Sequence, residues 1–150
     1  MRDKAASAYE NITNHLNAMD KREFTEQLAR YNNPTIKRAE KSDYKGFQLT
    51  TATSYYQHQY EMGNAYIVEM SPKEYLQEIS YHVFDASLER TVRGASPKKV
   101  TQYAKEMREG TKYYMGSIDY ARKEQEGRHR ALAAIINGYD KIPVMIVPKR

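Results

Sequence analysis

A chain of 150 residues, 40% hydrophobic and 29% charged, has room for one domain or for one domain with a helical extension. The absence of cysteine excludes a disulfide framework, a thiolate nucleophile and a cysteine zinc site, and no apolar run nears the ~18 residues that span a bilayer. The net charge of +5 is unevenly spread: residues 90–150 carry 14 Lys and Arg against 6 Asp and Glu, residues 1–89 carry 10 against 13, and the basic C-terminal part points to an anionic partner. Met1-Arg2-Asp3-Lys4-Ala5-Ala6 lacks the apolar stretch of a secretory leader, so the expectation is a cytoplasmic protein with no membrane partner.

The first 64 residues read as a helical extension. Ala5, Ala8, Tyr9, Ile12, Leu16 and Met19 recur at helical spacing, and Asp20 with Glu23 forms a capping-box pattern that opens a second helix towards Tyr31. Asn32-Asn33-Pro34 ends it. Thr50 to Met62 is tyrosine-rich and reads as helix, with a turn at Gly63-Asn64. Most of the 14 tyrosines read as amphipathic packing surface.

From Ala65 to Arg150 the pattern is that of a separate α+β domain. Ala65 to Met70 reads as a strand. Ser71-Pro72-Lys73-Glu74 supplies an N-cap serine, a proline at the first helical position and a glutamate at the third, opening a helix through Ile79. Tyr81 to Gly94 carries no clear assignment. Ser96-Pro97 repeats the start signal for a helix that buries Val100, Tyr103, Ala104 and Met107 and stops at Gly110. Tyr113 to Ala121 reads as one strand, Arg122-Lys123-Glu124 as a turn, and Arg128 to Asn137 as a helix with Gly138 as its left-handed C-cap. Ile142 to Val147 closes the domain as a buried strand, with Pro143 marking its start or a sheet edge.

Chemistry concentrates at Gln125-Glu126-Gly127-Arg128-His129-Arg130, where a strand gives way to a helix. A helix N-terminus presents N–H groups without intrahelical acceptors and about half a positive charge. Gly127 admits a bulky anion close to the backbone, and Arg128, His129 and Arg130 add donors suited to phosphate. Cations in a first turn oppose the helix dipole, which is more readily explained by a bound anion than by a solvated surface.

Gly127-Arg128-His129-Arg130, followed by Ala133-Ala134, Gly138 and Ile142-Pro143-Val144, resembles the pattern of the ParB/sulfiredoxin superfamily, and the Ser96-Pro97-Lys98-Lys99-Val100 helix fits the family helix upstream. The match covers Ser96 to Val147 well and reaches back more loosely to Ala65. Gln125-Glu126-Gly127-Arg128-His129-Arg130 also looks similar to the ParB-like domains carried by phages and other mobile elements. The resemblance implies a small mixed sheet with helices and nucleotide phosphate on the glycine turn: CTP in ParB proteins, which hydrolyse it, ATP in sulfiredoxins, ADP in a serine kinase. It implies phosphate contacts from Gly127, His129 and Arg130, with Lys98, Lys99 and an upstream arginine, Arg90 or Arg93, assisting; Arg128 joins them on the chemistry of the turn alone. Glu126 would be the carboxylate that holds Mg²⁺ or acts as a base.

This sequence also departs from the family. Arg128 stands where sulfiredoxins carry the catalytic cysteine, which excludes sulfinic-acid reduction, and with the sequence running to Arg150 a complete partition clamp is not expected. Two other readings therefore stay open: a non-catalytic module of a mobile element that grips DNA, RNA or a host protein, and a metal-dependent nuclease using Glu126 with Asp119 or Glu124. His15, His58 and His82 lack ligand spacing, and Tyr55-Tyr56 and Tyr113-Tyr114 read as packing pairs rather than base-stacking platforms.

Overall fold

The computed structural model describes residue 39 and residues 43–148; the helices expected over Ala5 to Met19 and from Asp20 to Tyr31 lie outside the described residues. The described chain is α+β. In order it forms β1 (Phe47–Gln48), α1 (Ser54–Glu61), β2 (Tyr66–Met70), α2 (Pro72–His82), α3 (Leu88–Arg93), α4 (Pro97–Arg108), β3 (Tyr113–Tyr114), β4 (Gly116–Asp119), β5 (Glu124–Glu126), α5 (Arg128–Ile136) and β6 (Ile142–Val147).

Four strands make the principal sheet in the order β2-β6-β4-β5. β6 runs antiparallel to β2 and parallel to β4, and β4 turns back into β5 as an antiparallel hairpin. The parallel β4–β6 pair requires a crossover, which α5 supplies. β6 is therefore an interior strand, buried at all six positions. Its side chains alternate with the period of two that a strand imposes. Ile142, Val144 and Ile146 enter the main core, while Met145 and Val147 enter a second cluster on the other face. Pro143 marks the start of β6 rather than an edge, because it faces Glu69 in the β2–β6 register.

The main core lies under α2, α4 and α5. Leu76 and Ile79 of α2, Val100, Ala104 and Met107 of α4, and Ala131, Leu132 and Ala134 of α5 meet Val68, Met70 and Ile118 of the sheet. α5 contacts both α2 and α4, and its buried alanines let it sit between them without wide spacing. The second cluster joins Tyr56 of α1 to Ala65, Met115, Met145 and Val147. Tyr44 and Phe47 are also buried in the main core, so residues ahead of Ala65 contribute to the same packed unit.

The helix starts follow the local chemistry. Ser71 accepts from the Glu74 N–H while the Glu74 side chain accepts from the Ser71 N–H, a complete capping box. Ser96 accepts from the Lys99 N–H at the start of α4. The unassigned stretch before Gly94 contains α3, opened by Ser87, whose hydroxyl accepts from the Arg90 N–H. The strand expected over Tyr113 to Ala121 is divided. Tyr113 and Tyr114 pair in parallel with Phe47 and Gln48, and only Gly116 to Asp119 join the main sheet. The Met115 N–H, donated to the Thr50 carbonyl, marks the switch between partners. The turn expected over Arg122-Lys123-Glu124 is shorter, because Glu124 already pairs with Asp119.

Candidate functional site

The hairpin β4–β5 and the helix α5 meet at Gly127, and the geometry there is tight. Gly127 has φ +135°, a region that side-chain-bearing residues avoid. A Cβ at this position would lie 2.8 Å from the Gly116 Cα and 3.1 Å from the Tyr75 hydroxyl. Gly116 is tight as well, though less so, since its own Cβ would lie 3.1 Å from the Glu126 carbonyl oxygen. The two glycines thus let β4, the start of α5 and the Tyr75 ring close on one another. The Tyr75 hydroxyl lies within hydrogen-bonding distance of the Gln125 side-chain oxygen (2.9 Å) and of the Glu126 (3.0 Å) and Ser117 (3.2 Å) carbonyls. Burial holds that hydroxyl far above the usual tyrosine range, so it stays protonated as a donor to the turn.

The three basic residues after Gly127 go to three different places. Arg130 turns inward: its side chain is 7% exposed, and it donates to the Glu126 carboxylate and to the Tyr114 carbonyl. It clamps β5 to the end of β3. The imidazole of His129 turns towards α4, where Nε2 accepts the Ser96 N–H at 3.0 Å. Burial, then the cationic neighbours Arg128, Lys99 and Arg130, hold the His129 pKa below its ordinary value.

Arg128 crosses to α3. Its Nη1 and Nη2 reach the Thr91 and Gly94 carbonyls at 3.5 and 3.4 Å, long and weak contacts. Gly94 makes room, because a Cβ there would lie 3.1 Å from Nη1. The guanidinium carbon lies 5.3 Å from the centre of the Phe84 ring. The Nε of Arg128 is buried and has no hydrogen-bond partner among the described residues. A cavity of about 270 Å³ opens here, lined by Phe84, Asp85, Ala86, Arg90, Thr91 and Arg128.

Among the expected site residues, the structure brings Arg128 together with Arg90 on this cavity and sets Lys99 near His129. Lys98 is exposed in the first turn of α4. Arg93 pairs with Glu89 at 2.7 Å on the surface and does not line the cavity. Glu126 faces Arg130, and among the described residues no three His, Cys, Asp or Glu side chains gather as a metal group. Asp119 is fully buried with one carboxylate oxygen on the Arg122 N–H, and Glu124 accepts from the Tyr56 hydroxyl and pairs with Arg122. Those carboxylates therefore serve the hairpin and do not form a protein-built cage for Mg²⁺.

Phe84, Asp85, Thr91 and Tyr75 escaped the sequence reading. Phe84 and Asp85 sit in the loop before α3, and only the Ser87 cap could have drawn attention to that loop. Tyr75 looks like any core residue on the buried face of α2. The comparisons with known proteins add nothing to these placements: the chain matches no family model, no curated protein and no solved structure. No helix of the described residues is long and apolar enough to cross a membrane.

Proposed function

We propose that this is a ParB/sulfiredoxin-like domain that binds the phosphates of a nucleoside di- or triphosphate between the start of α5 and the loop before α3. The observation that carries the reading is Arg128, with a buried Nε lacking a partner and terminal nitrogens on long contacts, beside Arg90 on one cavity. A buried guanidinium N–H left without an acceptor is costly unless a ligand completes it. A planar guanidinium on the wall of a small cavity is suited to two phosphate oxygens once its long carbonyl contacts are exchanged. The α5 N-terminus adds its dipole and the N–H groups of its first turn. The exposed Phe84 ring gives the cavity one apolar wall against which a base or ribose can lie.

In this reading Gly127 acts by closing the turn, Arg130 by clamping it, and Arg128, Arg90 and Lys99 by supplying charge. Mg²⁺ would be carried by the nucleotide's own phosphates, with Glu126, which also pairs with Arg130, as the carboxylate of the turn. The base, CTP against ATP or ADP, is the open variable, and binding without turnover is the minimal activity.

The test is a thermal-shift panel of CTP, ATP, ADP and GTP, with and without Mg²⁺, on the wild type, Arg128→Ala and Arg90→Ala. One nucleotide should raise the transition temperature of the wild type, and both variants should lose that rise. Arg90 is exposed, so its variant keeps the test valid if Arg128→Ala folds poorly. A wild type indifferent to all four nucleotides but binding nucleic acid with steep salt dependence would replace this reading with the backbone-gripping module.

A further inference from the structure

A neutral imidazole has one nitrogen that donates and one that accepts. In this protein the choice is made by the backbone of another helix. The Ser96 N–H donates to His129 Nε2 at 3.0 Å, so Nε2 must be the bare nitrogen and Nδ1 must carry the hydrogen. Ser96 is the N-cap of α4, and its hydroxyl is occupied with the Lys99 N–H. The N–H that faces His129 is therefore separate from the cap itself. The charged groups around the imidazole are Arg128, Arg130 and Glu126 from the turn and Lys99 from α4, three cations to one anion. A second proton on the ring would add a fourth cation and would abolish the acceptor that the Ser96 N–H has among the described residues.

We propose that the Ser96 backbone amide is a positioning group that fixes His129 as the Nδ1–H tautomer, so that His129 meets a bound anion as a neutral hydrogen-bond donor. The donor role rests on the phosphate reading given above; the tautomer does not. The charge that attracts the anion then comes from Arg128, Arg90 and Lys99, and binding does not wait for a histidine to protonate. The arrangement also ties α4 to the turn: any change that rotates the imidazole withdraws the acceptor from Ser96.

Two measurements on the full chain test this. Long-range ¹H–¹⁵N spectra at pH 7.5, with His129→Gln used for assignment, should show Nε2 unprotonated and Nδ1 protonated. Ser96→Ala, which keeps the N–H, should leave that pattern unchanged, while Ser96→Pro, which removes it, should shift the ring towards the Nε2–H form. An Nε2–H tautomer in the wild type would overturn the proposal. Sulfate, whose charge is constant over the range, is then titrated between pH 6 and 8.5. The neutral donor predicts a sulfate-induced shift of the His129 Nδ1 signal with affinity nearly independent of pH. An affinity that rises about tenfold per unit as pH falls would show that imidazolium is required and would overturn the donor role. Sulfate that moves no signal, with the tautomer as stated, would remove the anion reading and the donor role together while leaving the Ser96 positioning intact.

Discussion

At the scale of single residues, the glycine turn is held by sterics as much as by any ligand. Gly127→Ala places a Cβ against the Gly116 Cα in a backbone region with φ +135°, and should cost roughly 2–4 kcal/mol from strain and overpacking, measured by chemical denaturation. Arg130→Ala should also destabilise, by about 1–3 kcal/mol, because it leaves the Tyr114 carbonyl without its donor and Glu126 without its partner; the half-exposure of Glu126 keeps the loss below that of a fully buried pair. A variant at Arg130 thus mixes folding with binding, and Arg128 is the cleaner probe. His129 gives a pH signature. Its folded pKa is depressed below the ordinary 6.5, so the unfolded chain binds more protons near that pH. Its contribution to stability is full above about 6.5 and is lost as pH falls from there through the folded value. Denaturation midpoints between pH 7.5 and 5 should fall more steeply for the wild type than for His129→Gln.

At the scale of elements, the legible parts were those whose local chemistry is sufficient. Ser71-Pro72-Lys73-Glu74 and Ser96-Pro97 announce α2 and α4 because the cap and the fixed proline φ act within one turn, joined in α2 by Glu74. Ser71→Ala should accordingly cost about 1 kcal/mol, read from the denaturation midpoint. Gly110 and Gly138 end α4 and α5 with φ of +104° and +71° for an equally local reason. The division of Tyr113 to Ala121 was not legible, because it depends on which distant strand each half meets: Phe47 and Gln48 for β3, β6 for β4. The glycine turn was legible as a motif, yet the fates of its side chains were not. Arg128, His129 and Arg130 look equivalent in the sequence, and only the positions of α3, α4 and β3 send them to a cavity, a helix cap and a carbonyl respectively.

At the scale of the molecule, the sheet is covered on both faces. The main core gathers under α2, α4 and α5, the helices that frame the glycine turn, while the second cluster is closed by Tyr56 of α1. Tyr56→Ala should therefore destabilise the whole domain, by about 3 kcal/mol, although it precedes Ala65 and lies across the sheet from the turn. The measurement is the denaturation free energy, and a loss under about 0.5 kcal/mol would show α1 to be peripheral. The uneven charge of the sequence agrees with this division, since Arg90, Lys99 and Arg128 all come from the basic C-terminal part.

The most direct test of the central claim is an NMR titration of the ¹⁵N-labelled chain with ATP, CTP and ADP, following the Arg128 Nε–H signal. Nucleotide binding at this site predicts that one nucleotide moves this signal, together with the amides of Arg128, His129 and Arg130, in a saturable manner. An Nε–H that remains fixed while no nucleotide moves the α5 amides would contradict it and leave the cavity beside Arg90 without a phosphate to hold.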